Sequence, residues 1–232
     1  MADPNSLPLT RASVLSAHDL IKPLHAPHRR RARRDPLGGA SACKAQDQDL
    51  VQVREFPEGN HAQALSLAAS TMSIPAHIVM PRISTPAKIA ATQSYGARVI
   101  FSGSTALERE AVVADVIAET GATLIPPYDH PHIMLGQGTA GLELQEQVLE
   151  AQGASGKGKG GLDAIITPCG GGGLLSGTAL SAQGTGIRVF GAEPSFEGAD
   201  DCRRGLASGA RVETVKSLTI ADGLRTPVGA WP

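Results

Sequence analysis

Four consecutive glycines, Gly170, Gly171, Gly172 and Gly173, separate a short apolar run from a helical pattern in the stretch DAIITPCGGGGLLSGTALSA. No other feature restricts so tightly what this chain can fold into. Glycine loses more backbone freedom on folding than any other residue, so four in a row are costly unless bare backbone is needed. Without Cβ atoms, several N–H groups can approach one anion, and the helix that follows adds the partial positive charge of its N-terminus. At the C-terminal end of a parallel strand, this arrangement makes a phosphate cradle on the ligand edge of an open α/β sheet. The plainer alternative is a flexible loop. A strand, a tetraglycine and a helix in direct succession are more specific than an isolated glycine motif.

The flanking sequence supplies such a sheet. AHIVM (76–80), RVIF (98–101), TLI, DAIIT (163–167) and IRVFGAE (187–193) read as strands. TPAKIAATQSYGA, stopped by Gly96, reads as a helix, as do TAGLELQEQVLEA and residues 173–183. STALEREAVVADVIAETGA reads as another, with Ser104 as N-cap and Gly121 as stop. Strands alternating with helices imply a mostly parallel sheet covered on both faces. GNHAQALSLAA, from Gly59, opens one more helix at Asn60 or His61; alone, that is an ordinary capped start, and His61 alone is more often structural than catalytic.

Composition removes several classes of function. Net charge is −1 over 232 residues, which points to no nucleic-acid or membrane partner. Aromatic residues make up 3%, too few for stacking single-stranded bases. Cys43, Cys169 and Cys202 form no metal-type spacing, and three isolated thiols fit a reducing compartment. With no signal-peptide pattern and no apolar run of membrane-spanning length, the expected location is cytoplasmic. GASGKGKGG (153–161) lacks the Gly-Lys-Ser/Thr ending of a Walker loop and reads as a surface loop. HRRRARR (28–34) reads either as a nucleic-acid patch or, in preference, as a disordered arm.

The glycine stretch and GNHAQALSLAA together resemble the pyridoxal-phosphate enzymes of fold type II, specifically the serine racemase and serine/threonine dehydratase family. PLTRASVLSAHDLIKP, HPHIMLGQGTAGLE, GAEP and ADGLRTP carry the same resemblance in family order. It implies a tryptophan synthase beta-like α/β fold with two three-layer α/β domains, the larger one incomplete. Residues 1–23 would begin the large domain, and 24–58 would be a non-family segment, disordered or mistranslated. Residues 59–133 would form the small domain, and 134–232 the large coenzyme-binding domain, truncated at its C-terminus. The resemblance also implies that Gly170, Gly171, Gly172 and Gly173 hold the phosphate of pyridoxal 5'-phosphate. Asn60 would bond the pyridoxal ring oxygen, and Gly223 would lie near the ring. Gly59, Asn60 and His61 would receive the carboxylate of a small amino-acid substrate, serine or threonine. Glu193, the Ala199 carbonyl and Asp201 would bind Mg²⁺ or Ca²⁺, as two acidic side chains, a carbonyl and waters suit either ion; the plainer alternative is a solvated acidic turn. Intact members are expected to be homodimers that dehydrate or racemise the substrate by abstracting its Cα proton.

Two departures from the family pattern stand out. Family members carry a Schiff-base lysine upstream of two serines that precede Gly-Asn-His. Here Glu58 occupies the second serine position, Pro57 precedes it, and neither Lys22 nor Lys44 has a matching context. The chain as written is therefore expected to be inactive. Synonymous codons for residues 44–58, read one nucleotide later, end in Phe-Lys-Cys-Glu-Asn-Phe-Gln-Arg, a string similar to the one that precedes the family lysine. This suggests that 24–58 is an out-of-frame translation. The alternative from another functional class is a non-catalytic remnant that binds a phosphorylated ligand or a partner.

Overall fold

The computed structural model describes residues 8–22, 50–53, 60–153 and 161–232. In chain order the elements are α1 (Arg11–Ile21), β1 (Leu50–Val53), α2 (Asn60–Thr71), β2 (Ala76–Pro81), α3 (Pro86–Ser94), β3 (Arg98–Ser102), α4 (Ala106–Thr120) and β4 (Thr123–Leu124). There follow α5 (Pro131–Ala151), β5 (Ala164–Pro168), α6 (Gly173–Ala182), β6 (Arg188–Ala192) and α7 (Asp201–Ser208). They divide into two units, Met1–Pro23 with Tyr128–Pro232, and Leu24–Pro127. The division falls at Pro127 rather than at residue 133, because α5 runs unbroken from Pro131 and packs on α1 and α6.

The Leu24–Pro127 unit is a parallel sheet in the order β3-β2-β1-β4. Every residue of β2 is buried, the mark of a parallel strand covered on both faces. Val113 and Val116 of α4 pack on Val79, with Ala122 and the half-buried Ile100, Val112 and Ile117 around them. α2 and α3 contact each other and the strands beside them. The N-cap of α4 is Thr105, not Ser104. The Thr105 Oγ1 accepts the Glu108 N–H (3.3 Å), and the Glu108 carboxylate accepts the Thr105 N–H (2.9 Å). That reciprocal pair satisfies two orphan donors at once, which Ser104 could not do from one residue earlier.

Within residues 24–58, expected to be disordered or mistranslated, β1 is an ordered strand. Leu50–Val53 is a central strand, with Leu50 beside Ala76 on one side and beside Thr123 on the other. Pairing on both edges is a tertiary effect, and the neighbouring charges and prolines hid it from local pattern. The remainder of 24–58 lies outside the described residues, as does most of the 153–161 loop.

In the other unit, α5 and α6 pack in unusually close contact. A Cβ on Gly177 of α6 would lie 2.3 Å from the Met134 carbonyl of α5, and one on Gly138 would lie 2.7 Å from the Gly177 carbonyl. Val14 and Ala17 of α1 pack with Leu135 and Leu142 of α5. Gln145 ties the three helices together: its Nε2 donates to the Gly141 carbonyl (2.9 Å) and the Ser181 Oγ (3.2 Å), and its Oε1 accepts from Arg11 (3.1 Å). β5 and β6 pair in parallel, from Ala164 beside Arg188 to Pro168 beside Ala192. α5 also begins at Pro131, well before the expected TAGLELQEQVLEA, with His130 as N-cap accepting the His132 N–H (3.2 Å). Proline at the first helical position forfeits only a donor that would have been unpaired.

Candidate coenzyme site

β5 ends at Pro168, Cys169 follows, and Gly170 to Gly173 carry the chain into α6. Gly172 is the N-cap, with φ of +89° and no side-chain cap. Among the described residues, the amides of Gly170, Gly171, Gly172 and Gly173 donate to no protein acceptor. Four successive N–H groups are thus left for a ligand at a helix N-terminus, where the dipole favours an anion.

Packing explains why Gly170, Gly171 and Gly172 are glycine, and the reason differs from the one the sequence suggested. A Cβ at Gly170 would lie 2.9 Å from the Gly223 carbonyl, and one at Gly171 would lie 2.3 Å from the Tyr128 ring. At Gly172 it would meet Pro232 at 2.6 Å. The missing side chains make room for protein walls, and the amides remain open. Gly229 N–H donates to the Gly171 carbonyl (3.1 Å), and Trp231 N–H donates to Asp129 (2.9 Å). The structure therefore brings Gly223 against the tetraglycine. Tyr128, Pro232 and Gly229, the rest of the enclosure, were not legible in the sequence, since nothing local marks them as neighbours of the loop. The open amides and the buried Thr167 Oγ1, three residues upstream and without a partner among the described residues, fit a phosphate-bearing group.

Asn60 and His61 open α2 in the other unit; Gly59 and Glu58 lie outside the described residues. The His61 residue is partly accessible, but its Nε2 is sealed from solvent and has no partner among the described residues. Burial lowers its pKa to about 4, against the opposing pull of a hydrogen bond to the Ile125 backbone. His61 is therefore neutral at neutral pH and cannot serve as a cationic anchor.

Glu193 follows β6, and its carboxylate accepts the backbone N–H of Cys202 and of Arg203, both at 2.9 Å. Asp201 is buried, and its Oδ2 accepts the Val228 N–H (2.9 Å). Ala199 is buried beside them in sequence, at the end of the Phe196–Gly198 turn. Both carboxylates thus already organise backbone. Burial, then the nearby Cys202 and Glu193, push the Cys169 thiol far above its usual range; burial also raises Cys202. Neither is a nucleophile at neutral pH.

The described lysines are Lys22, Lys88 and Lys216. Lys22 is the C-cap of α1 and Lys88 lies in α3 of the other unit. Lys216, which the sequence reading did not weigh, precedes Ser217 and Leu218. Those two residues are pinned to the Phe196 carbonyl (2.8 Å) and the Glu197 carboxylate (2.6 Å). No described helix is long and apolar enough to cross a membrane.

The family model for pyridoxal-phosphate dependent enzymes matches residues 39–232, which takes in 39–58 as well as the glycine loop. L-threo-3-hydroxyaspartate ammonia-lyase of Saccharomyces cerevisiae is 44% identical over 176 residues, 75% of this chain and 50% of that protein. Serine racemase of Arabidopsis thaliana is 43% identical over 208 residues, 84% of this chain and 59% of that protein. The solved structure of maize serine racemase superposes with a TM-score of 0.79 at 33% identity, covering 96% of this chain and 72% of that one. The chain spans about half the length of the curated relatives it matches.

Proposed function

Because this chain belongs to the pyridoxal-phosphate dependent enzymes, in the fold type II serine racemase and dehydratase family, we propose that Gly170–Gly173 hold the coenzyme phosphate. The observation that carries the proposal is the row of four amides at the start of α6 that have no acceptor among the described residues. When bound, pyridoxal phosphate supplies an electron sink that makes the substrate Cα–H acidic, which permits either racemisation or loss of a β-hydroxyl.

The amides and the α6 dipole neutralise the phosphate dianion, and Gly223 lies near the ring. Gly59, Asn60 and His61 receive the carboxylate of a small hydroxy amino acid, serine or threonine, with Asn60 bonding the ring oxygen. His61, being neutral, contributes a hydrogen bond rather than charge. Glu193, the Ala199 carbonyl and Asp201 hold Mg²⁺ or Ca²⁺ through oxygens left over from their backbone contacts. No lysine of this chain is assigned to take the Cα proton, and Glu58 stands where the opposite-face group belongs. The chain thus binds coenzyme without turning over substrate. The same reading gives it a cytoplasmic location and small-molecule rather than nucleic-acid or membrane partners, with a homodimeric state for intact members of the family.

Equilibrium dialysis of the full chain against pyridoxal phosphate and against unphosphorylated pyridoxal tests this. The phosphate form should bind and pyridoxal should not. Gly172→Ala should weaken binding, by up to about thirtyfold, because the left-handed φ costs a non-glycine residue ~1–2 kcal/mol and the new methyl meets Pro232, so the free loop relaxes out of the binding conformation. Equal binding of both compounds, or full affinity in the variant, would defeat the phosphate assignment. A lysine adduct trapped by borohydride would defeat the assignment of inactivity.

A further inference from the structure

The parallel pairing of β5 with β6 ends with Pro168 beside Ala192, so the next residues, Cys169 and Glu193, leave the sheet side by side. The Cys169 N–H donates to the Ala192 carbonyl (2.9 Å), which holds them there. Glu193 in turn anchors the first turn of α7 by accepting the N–H groups of Cys202 and Arg203. That anchoring delivers the Cys202 thiol to the same point. The two sulfurs and a Glu193 oxygen all lie within 4.8 Å of one another, and this is the one such group of three among the described residues.

We propose that Cys169, Glu193 and Cys202 form a binding site for a thiophilic divalent cation of the Zn²⁺ type. Zn–S bonds of ~2.3 Å and Zn–O bonds of ~2.1 Å place tetrahedral ligands roughly 3.4–3.8 Å apart. The group therefore needs only a small contraction around the ion. Two sulfur donors select against Mg²⁺ and Ca²⁺, which take oxygen ligands, and favour a softer metal. Of the neighbouring carboxylates, Asp200 is engaged with Arg203 and Arg204, and Asp201, whose Oδ2 accepts the Val228 N–H, is not part of that group of three. Glu193 keeps a free lone pair on each oxygen beyond its two backbone bonds. Cys169 is buried while Glu193 and Cys202 are half-exposed, so the ion enters from solvent and a water completes the fourth position. On binding, both thiol protons pass to buffer and no redox change occurs. The site shares Glu193 with the oxygen-ligand set proposed above, so the two cations exclude each other.

The test loads the full chain, free of coenzyme and held reduced by a phosphine, with Co²⁺ and then with Zn²⁺. Wild type should show thiolate-to-cobalt charge-transfer absorption and should retain one Zn²⁺ per chain after desalting. Cys202→Ser, at a half-exposed position, and Cys169→Ser should each lose the band and weaken Zn²⁺ binding by about tenfold or more. Cys43→Ser should keep both. Unchanged circular dichroism in Cys202→Ser separates loss of a ligand from loss of fold. The proposal is overturned by a wild-type chain without the band, by a band that survives in the Cys169→Ser/Cys202→Ser double variant, or by a band that disappears in Cys43→Ser. Because no coenzyme is present, none of these results bears on the phosphate assignment.

Discussion

Acid should destabilise this protein through one histidine in the Leu24–Pro127 unit. The His61 pKa falls from 6.5 to about 4 on folding, chiefly because burial disfavours the imidazolium. The unfolded chain therefore binds a proton between these pH values that the folded chain refuses. Stability rises with pH wherever the unfolded state holds more protons. The contribution of His61 is complete above pH 6.5 and is lost as pH falls through about 4. At ~1.4 kcal/mol per pH unit, the whole window amounts to about 3 kcal/mol. Urea denaturation of wild type and His61→Gln at half-unit steps from pH 7.5 to 4 measures it directly. Wild type should lose about 3 kcal/mol more than the variant over that range, with most of the divergence below pH 6. Parallel curves would show that the imidazole titrates alike in both states and would refute the argument from burial.

Two further substitutions test the packing and the capping. Gly177→Ala should destabilise the Tyr128–Pro232 region by ~3 kcal/mol or more in thermal melts, since its methyl meets backbone of α5 at 2.3 Å and 2.5 Å and neither helix can yield locally. Thr105→Ala should cost ~1 kcal/mol by removing half of the α4 capping box, and Ser104→Ala should cost far less.

Much of the fold could be read locally. The starts of β2, β3 and α6 fall where apolar period and glycine placed them, because strand alternation and helix caps are short-range properties. β1 could not be read this way. Its four residues are a strand because β2 and β4 flank them, a fact absent from the surrounding charged sequence. The site divides in the same manner. The tetraglycine announced unpaired amides ahead of a helix, whereas the Tyr128 ring and Pro232 that require those glycines are distant in sequence.

By itself, the order of residues determined that a strand would break into bare backbone and restart as a helix at Gly173, since the conformational freedom of glycine and the orphan amides of a helix start need no distant partner. Only the tertiary structure decided that Cys169, Glu193 and Cys202 would meet. Their sequence spacing matches no metal motif, and their proximity comes from the parallel register of β5 on β6 and from one carboxylate holding the first turn of α7. Register joins residues through hydrogen bonds between separate strands, and no local pattern of amino acids encodes it.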